Sequence, residues 1–551
     1  MSKYNNSFKY LIPLWCILFV VIYLNFYRYG TLIIDSGREA YYPQEILNGK
    51  ILYKDLFSIY APFSYLFNAA LFKIFGIHLD VLRLAGCFCS FGIITCLFFI
   101  AKKFLSEFVS FSLVLLTISV CVLPCGNFNF VYPYSFGLTY GLLSCLISLL
   151  FIINYIDKKN ELCLYLSCLF AGISVANKYE FIPYILIYIP VFIRMKSDFL
   201  KIFLSIISFF LVPEFCLITL YIQGLNVHDF TNFLSIINKM THTQTLKYFY
   251  MHSGILFHKY TIPFLIFSGI MFILPLFTFF SVEIKHLEKY KLLNILSFST
   301  CLFVLLFIFF KYTPNSFFAS IPIILFISFV FNIKKIYSDF SLFILVVTAI
   351  LTGIKVTNGL LINSYGIFYL PLLLIAIMAI YKSKINEVLS KKLGIYIIVV
   401  SLLICCFEIF IFQDKNKLIS TSKGKLYIEK EFYNTTSKLF DFIHKNSNRT
   451  DKILILPEGM MINFLSSTKT DDFYNSLLPL YEETFGAETI IKHYQNNMPN
   501  YIIFTSWNSK DYYFSMICDD YMKPFCEFVK KEYFLETRLN GDFTYVIYKH
   551  K

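Results

Sequence analysis

The densest set of side chains able to do chemistry lies early in the chain, in TLIIDSGREAYYPQEILNGKILYKDLFSIYAPFSYLFNAALFKIFG (31–76). Asp35 directly follows an apolar run, which puts its carboxylate at a membrane edge. An unpaired charge is costly there, so its placement is informative. Asp35 or Ser36 can cap a short helix that runs through Glu39 to Leu47 and closes at Asn48-Gly49. Asp35 and Glu39 then stand one helical turn apart, with Arg38 between them. A capped interfacial helix with a surface ion pair would look the same. The following stretch, APFSYLFNAALFKIFG (61–76), is apolar but shorter than a span, and fits a helix lying in the interface. Two interfacial helices with a carboxylate at the membrane edge suit chemistry on a lipid-borne substrate.

Composition says what must position these groups. Of 551 residues, 57% are apolar, 20% aromatic and 15% charged, with a mean hydropathy of +0.65. A soluble chain carries about 25% charged residues, so a soluble enzyme, a disordered scaffold and a collagen-like chain are excluded. The chain is read as an all-α polytopic membrane protein. The net charge of +13 reflects Lys and Arg clusters between apolar runs, which orient the spans, and no nucleic-acid partner is expected. Most cysteines lie in apolar runs and act as small hydrophobes. No His/Cys cluster has zinc-ligand spacing.

With about 20 apolar residues per crossing, spans are predicted near 11–27, 81–101, 105–124, 134–155, 161–176, 180–194, 200–222, 261–282, 292–311, 316–332, 339–355, 362–381 and 393–412. The first run lacks a cleavage site and reads as an uncleaved span. With a cytoplasmic N-terminus, alternate segments collect Lys3, Lys9, Lys102, Lys103, Lys158, Lys159, Lys334, Lys335, Lys391 and Lys392 among others. The short loops opposite hold Lys178, Lys311 and Lys355. This positive-inside bias places residues 1–412 as the membrane domain of a multi-pass inner (cytoplasmic) membrane protein, with long outer loops at 28–80 and 223–260. Residues 413–551 change character. KILIL (452–456), YIIFT (501–505) and FTYVIY (543–548) read as strands, and 428–445 as an amphipathic helix, giving a small α/β domain outside the membrane. Cys518 and Cys526 would be in an oxidising compartment there, paired or as two thiols.

The order D-x-G-x-x-x-Y, a short helix ending N-G, Y-K-D-x-F, then a Pro-headed apolar helix ending F-G resembles the first outer loop of GT-C glycosyltransferases. The branch it is most similar to is that of protein O-mannosyltransferases and the lipid A aminoarabinose transferase (glycosyltransferase family 39 and bacterial relatives). The resemblance is specific over about residues 11–90. LPEGMMINFLSS (456–467) is similar to tails of uncharacterised bacterial members.

The resemblance implies a polyprenyl-phosphate-linked sugar donor and inverting transfer to an acceptor hydroxyl on a lipid, glycan or protein. It implies no cofactor and no divalent metal. The loop aspartate of the family, its base, maps onto Asp35, since a carboxylate in hydrogen-bond reach can take the acceptor's proton as it attacks. Many relatives carry an acidic residue next; here Ser36 stands there, and Glu39 is expected to supply the second carboxylate, with Arg38 in support. A cation beside the leaving phosphate would stabilise the transition state. Lys178, in AGISVANKYEFIPY (171–184) with Glu180, is the first candidate, against an ordinary snorkelling anchor. Arg83, Lys54, Asp55 and Tyr60 complete the candidate donor- and acceptor-binding set, Lys54 and Asp55 reading equally as a solvated loop pair. The histidines of the second long loop (His228, His242, His252, His258) suggest a substrate cover rather than a metal site. Tyr365, in NSYG, reads first as an aromatic-belt residue. A transporter of lipid-linked sugars and an O-antigen polymerase or ligase are the alternatives. They are disfavoured because the polar constellation comes early, clusters at one face and shows no repeated halves.

Overall fold

The computed structural model describes residues 2–196, 198–280, 302, 305–306, 317–448 and 450–551. The chain is a polytopic helical membrane protein. Among the described residues, five helices are long and apolar enough to cross a bilayer: Ser7–Arg28, Leu79–Phe104, Phe136–Lys158, Phe199–Gln223 and Glu387–Asp414. Shorter apolar helices fill in between them, and the predicted span at 292–311 falls almost wholly outside the described residues. In chain order the first half runs α1 (Ser2–Asn25), α2 (Ser36–Leu47), α3 (Phe63–Phe75), α4 (Leu79–Phe104), α5 (Glu107–Cys121), α6 (Phe136–Lys158), α7 (Glu161–Asn177), α8 (Tyr188–Arg194) and α9 (Phe199–Gln223). Phe199, Phe215 and Ile222 on α9 are exposed. An apolar helix with this much uncovered apolar surface is a lipid-facing one.

The predicted span at 180–194 departs from a regular α-helix. Tyr179–Ile187 is a 3-10 segment containing Pro183, and only the short α8 follows it. Proline supplies no backbone donor and crowds the preceding turn. The two interfacial helices form as expected. α2 closes at Asn48 with Gly49 at φ +88°. α3 buries Ser64, Tyr65, Asn68, Ala69 and Phe72 on one face.

The second long loop folds as α10 (Val227–Thr241) and α11 (Gln244–His252) before α12 (Thr261–Phe280). The bundle ends with α13 (Ile321–Phe331), α14 (Ile333–Ser338), α15 (Phe340–Thr352), α16 (Leu370–Tyr381) and α17 (Glu387–Ile411). The carboxy-terminal segment is an α/β unit. Its hairpin β1 (Lys415–Thr421) and β2 (Gly424–Glu429) leads into α18 (Lys430–Asn446). Four further strands, β3 (Ile453–Leu456), β4 (Tyr501–Thr505), β5 (Tyr533–Leu539) and β6 (Tyr545–His550), form a sheet of order β3-β4-β6-β5. β3 and β4 are parallel and fully buried, and α19 (Met460–Ser466), α20 (Pro479–Phe485) and α21 (Ala487–Asn496) make the crossover between them. α22 (Lys523–Glu532) precedes β5, and Cys518 is bonded to Cys526 at its start.

This unit is fastened to the loop that carries Asp35. α19 lies against α2 at Gly37, where an added Cβ would sit 2.2 Å from the Met461 nitrogen. The Thr470 amide donates to the Tyr41 hydroxyl at 3.0 Å, Asn475 Nδ2 to Tyr42 at 3.2 Å, and Lys50 pairs with Asp472. Lys415, buried at the unit's root, donates to the carbonyls of Gly30 and Cys125. The second loop is held to the same unit, because Glu483 accepts from the amides of Gln244 and Thr245 at the start of α11 (2.7 and 2.9 Å). A carboxylate is favourable at that helix end.

Gly37→Ala should therefore push α19 off α2, at a cost of about 1–3 kcal/mol. Thermal unfolding should start lower, and limited proteolysis should release the carboxy-terminal unit sooner; a variant as resistant as wild type would contradict this packing.

Candidate active site

Asp35 occupies the N-cap position of α2 with φ +49°, and its side chain makes no capping hydrogen bond. A non-glycine residue in that region costs of order 1–3 kcal/mol and persists only where the surroundings enforce it. Here they do. Ser36 is buried, and its hydroxyl donates to Asn127 Oδ1 (3.2 Å) and accepts from the Thr31 amide (3.0 Å). Tyr132 donates to the Ser36 carbonyl at 3.2 Å. Ser36 thus locks the turn to the α5–α6 connection, and the Asp35 carboxylate is left uncapped beside Arg38, 16% exposed.

Arg38 collects the charges around it. Its Nη1 lies 3.1 Å from Asp35 Oδ1, Nη2 donates to the Tyr134 carbonyl at 2.9 Å, and Nε lies 3.4 Å from Glu39 Oε1. The guanidinium sits 4.7 Å over the Tyr60 ring, a cation–π contact. Burial lifts the Asp35 carboxyl above the ordinary carboxylate range, although Arg38 and Lys178 pull it back down.

Glu39 has a different part from the second catalytic carboxylate expected of it. It has no exposure; Oε2 accepts from the Phe136 amide at 2.8 Å and Oε1 from the Tyr65 hydroxyl at 3.2 Å. With both oxygens engaged, Glu39 balances Arg38 and ties α2 to the start of α6. The sequence shows a carboxylate one turn from Asp35; only packing shows that it points inward.

Further cations gather beside this centre. Lys178 follows α7 on extended backbone, donates to the Tyr134 hydroxyl, and pairs with Glu180. Its ammonium lies 4.4 Å from the Tyr134 ring and 5.2 Å from that of Tyr60. Glu180 also receives Lys355, at 3.2 Å, and Lys355 lies 5.6 Å from the Tyr365 ring. Two ammonium groups around one carboxylate leave a net positive charge on this wall. Asp35, Arg38, Glu39, Tyr60, Lys178 and Glu180 are therefore one constellation.

Three candidates lie outside it. Lys54 pairs with Asp229 of α10 at 3.2 Å. Asp55 accepts from the Ile51 amide at 2.8 Å, closing a tight turn. Arg83 is wholly buried, 2.9 Å from Asp80 and bonded to the Tyr29 carbonyl. All three hold the loop rather than face the pocket.

The roof comes from residues remote in sequence. Phe249 of α11 stacks on Tyr512 at 5.0 Å and meets Tyr365 edge-on at 5.8 Å. His252 pairs with Asp511 at 3.2 Å. Tyr365, read as a belt residue, packs instead on Tyr134 (4.8 Å) and lies within electrostatic reach of Asp35 and Tyr60. From the turn after β3, Glu458 lies within electrostatic reach of Asp35 and Arg38. Among the described residues no group of three His, Cys, Asp or Glu is placed to hold a metal ion.

A polytopic helical membrane protein with a carboxylate–guanidinium centre beside a cationic wall, roofed by its own carboxy-terminal unit, is the class these elements define. No protein-family profile matches the chain, and no curated protein matches it by sequence. Among solved structures it is similar to ArnT from Cupriavidus metallidurans in the apo state, with 12% identity, a TM-score of 0.46 and 98% of both chains covered. The structure of the same protein bound to undecaprenyl phosphate gives 11% identity, a TM-score of 0.44 and 98% of both chains. Likenesses this distant carry no weight for the chemistry, which rests on the pocket's own residues.

Replacing Glu39 by Gln removes a charge that balances Arg38 and sets an amide donor against either the Phe136 amide or the Arg38 guanidinium. Thermal unfolding should register a loss of about 1–3 kcal/mol. Wild-type stability combined with abolished activity would return Glu39 to a catalytic part.

Proposed function

We propose that the protein is an inverting membrane glycosyltransferase. It moves a sugar from a polyprenyl-phosphate-linked donor to an acceptor hydroxyl at the outer face of the cytoplasmic membrane. The observation that carries this reading is a strained, partly open carboxylate, Asp35, within electrostatic reach of Lys178, which shares Glu180 with Lys355. The positive-inside bias puts that end of the bundle outside.

Asp35 takes the proton as the acceptor oxygen attacks the anomeric carbon. The bond from that carbon to the phosphate oxygen breaks on the opposite side, and its electron pair leaves with the polyprenyl phosphate. Lys178 and Lys355 meet the charge that gathers there, in a site where low dielectric strengthens the interaction. Arg38 stays on Asp35, fixing its direction, and the Tyr60 and Tyr365 rings border the space for sugar. No step uses a divalent metal, so chelation with EDTA should leave transfer unchanged.

The direct test is transfer of radiolabelled sugar from polyprenyl phosphate carriers in membranes containing wild type or Asp35→Asn. Loss of about 100-fold or more at normal protein level is expected; unchanged transfer would remove Asp35 as base. The base must be ionised, and its carboxyl is raised by burial. Transfer by wild type should therefore fall with decreasing pH from a point above the ordinary carboxylate range. A flat profile through that range would contradict the assignment.

A further inference from the structure

Glu458 is the group the mechanism leaves unused. It lies in the turn between β3 and α19, within LPEG, and is 8% exposed. Among the described residues its carboxyl has no hydrogen-bond donor and no ion-pair partner, although a buried carboxylate without one is strongly disfavoured. The turn that carries it is built to hold it still. The Pro457 carbonyl accepts from the Leu477 amide at 2.9 Å, and that of Gly459 accepts from Ile462 at the same distance. A Cβ on Gly459 would lie 2.3 Å from Ile455 Cγ2. Two residues further on is the Met461 amide that seats on Gly37, itself two residues from Asp35. The same close approach that docks the unit therefore brings Glu458 near Asp35.

The charged and titratable groups facing Glu458 come from every neighbouring element. They are Asp35 and Arg38 from α2, Asp511 and Tyr512 from the turn after β4, Tyr481 from α20, and Tyr521. Arg38 is already committed to Asp35 and Glu39. A buried carboxyl with no donor, within electrostatic reach of a second carboxylate, is a site waiting for a group that can bond to it.

We propose that Glu458, delivered by the carboxy-terminal unit, is the second carboxyl of the transfer site and hydrogen-bonds the acceptor oxygen that Asp35 deprotonates. This rests on the transferase reading above. Two carboxyls in one site do not both ionise readily. Arg38 is bonded to Asp35 and not to Glu458, so Glu458 is the member left to hold a proton, and burial, with Asp35 next in size, pushes it up to about 8. In the transfer step the acceptor O–H bond breaks and its proton passes to Asp35. The acceptor oxygen bonds the anomeric carbon, and the phosphate leaves with the electron pair of the broken bond. Glu458 keeps its own proton throughout and donates it as a hydrogen bond, holding the acceptor in line. Once product leaves, Asp35 returns its proton to solvent. The carboxy-terminal unit is then part of the reaction centre, and the acceptor enters between it and the loop of α2.

The experiment compares wild type, Glu458→Gln and Glu458→Ala in the same membranes. It reads sugar transfer against pH, the KM for acceptor, polyprenyl phosphate binding and thermal stability. Gln keeps a donor, so transfer should survive. Because an amide never ionises beside Asp35, the alkaline side of the profile should flatten. Ala should lose about 10–100-fold in transfer, with a raised acceptor KM. Polyprenyl phosphate binding should be unchanged in both. Transfer by Glu458→Ala at the wild-type rate and with the wild-type pH profile would overturn this inference while leaving the transferase reading standing. Equal losses in both variants together with lowered stability would also overturn it, in favour of a structural part. A wild type that transfers nothing from any polyprenyl carrier would overturn both.

Discussion

One largely buried guanidinium makes the site possible. Arg38 lies between Asp35 and Glu39, donates to the Tyr134 carbonyl and rests on the Tyr60 ring. Taking a carboxylate out of water costs several kcal/mol unless it is paired and its lone pairs are used. Without Arg38, neither acid could be held at this depth in ionised form. Its five donors in a fixed fork also set direction, which a lysine would not do. The rest of the pocket is arranged around that centre. Tyr134 links it to Lys178, Glu180 links Lys178 to Lys355, and Tyr365 joins this wall to the roof.

The pocket is also a junction of chain segments far apart in sequence. The Asp35 loop, the α5–α6 connection, the turn after α7, the second long loop and the carboxy-terminal unit each contribute a wall. Their contacts are of ordinary kinds: a glycine against a peptide, a carboxylate on a helix start, aromatic rings edge to face. Access to the pocket therefore depends on how firmly α11 and the 510–512 turn hold together through Phe249, Tyr512, His252 and Asp511.

How much of this could be read from the chain follows from what makes a residue conspicuous. Asp35, Arg38, Lys178 and Glu180 stand out because a charge at a membrane boundary is expensive, and the structure brings all four together. Arg83 is conspicuous for the same reason, yet Asp80 and the Tyr29 carbonyl absorb it. Boundary charge thus finds candidates without sorting functional from structural ones. Tyr512 and Tyr481 come from a polar segment in which tyrosines are ordinary, and Glu458, although inside the LPEGMMINFLSS stretch, is one of many acids there, so nothing marks its part. Lys355 and Tyr365 look like interfacial anchors until their partners are seen. The strands at 453–456 and 501–505 were legible from β-branched and aromatic runs. Their parallel pairing was not, because it depends on a crossover of three short helices.

The central claim is geometric: a phosphate on one wall, a base on the other. The measurement that tests it most directly is an experimental structure of the protein with a polyprenyl phosphate bound. The account predicts the phosphate against Lys178 and Lys355, with Asp35 across the pocket and room for a sugar between them. A phosphate seated outside this pocket, or bonded to Arg38 in place of Asp35, would contradict it.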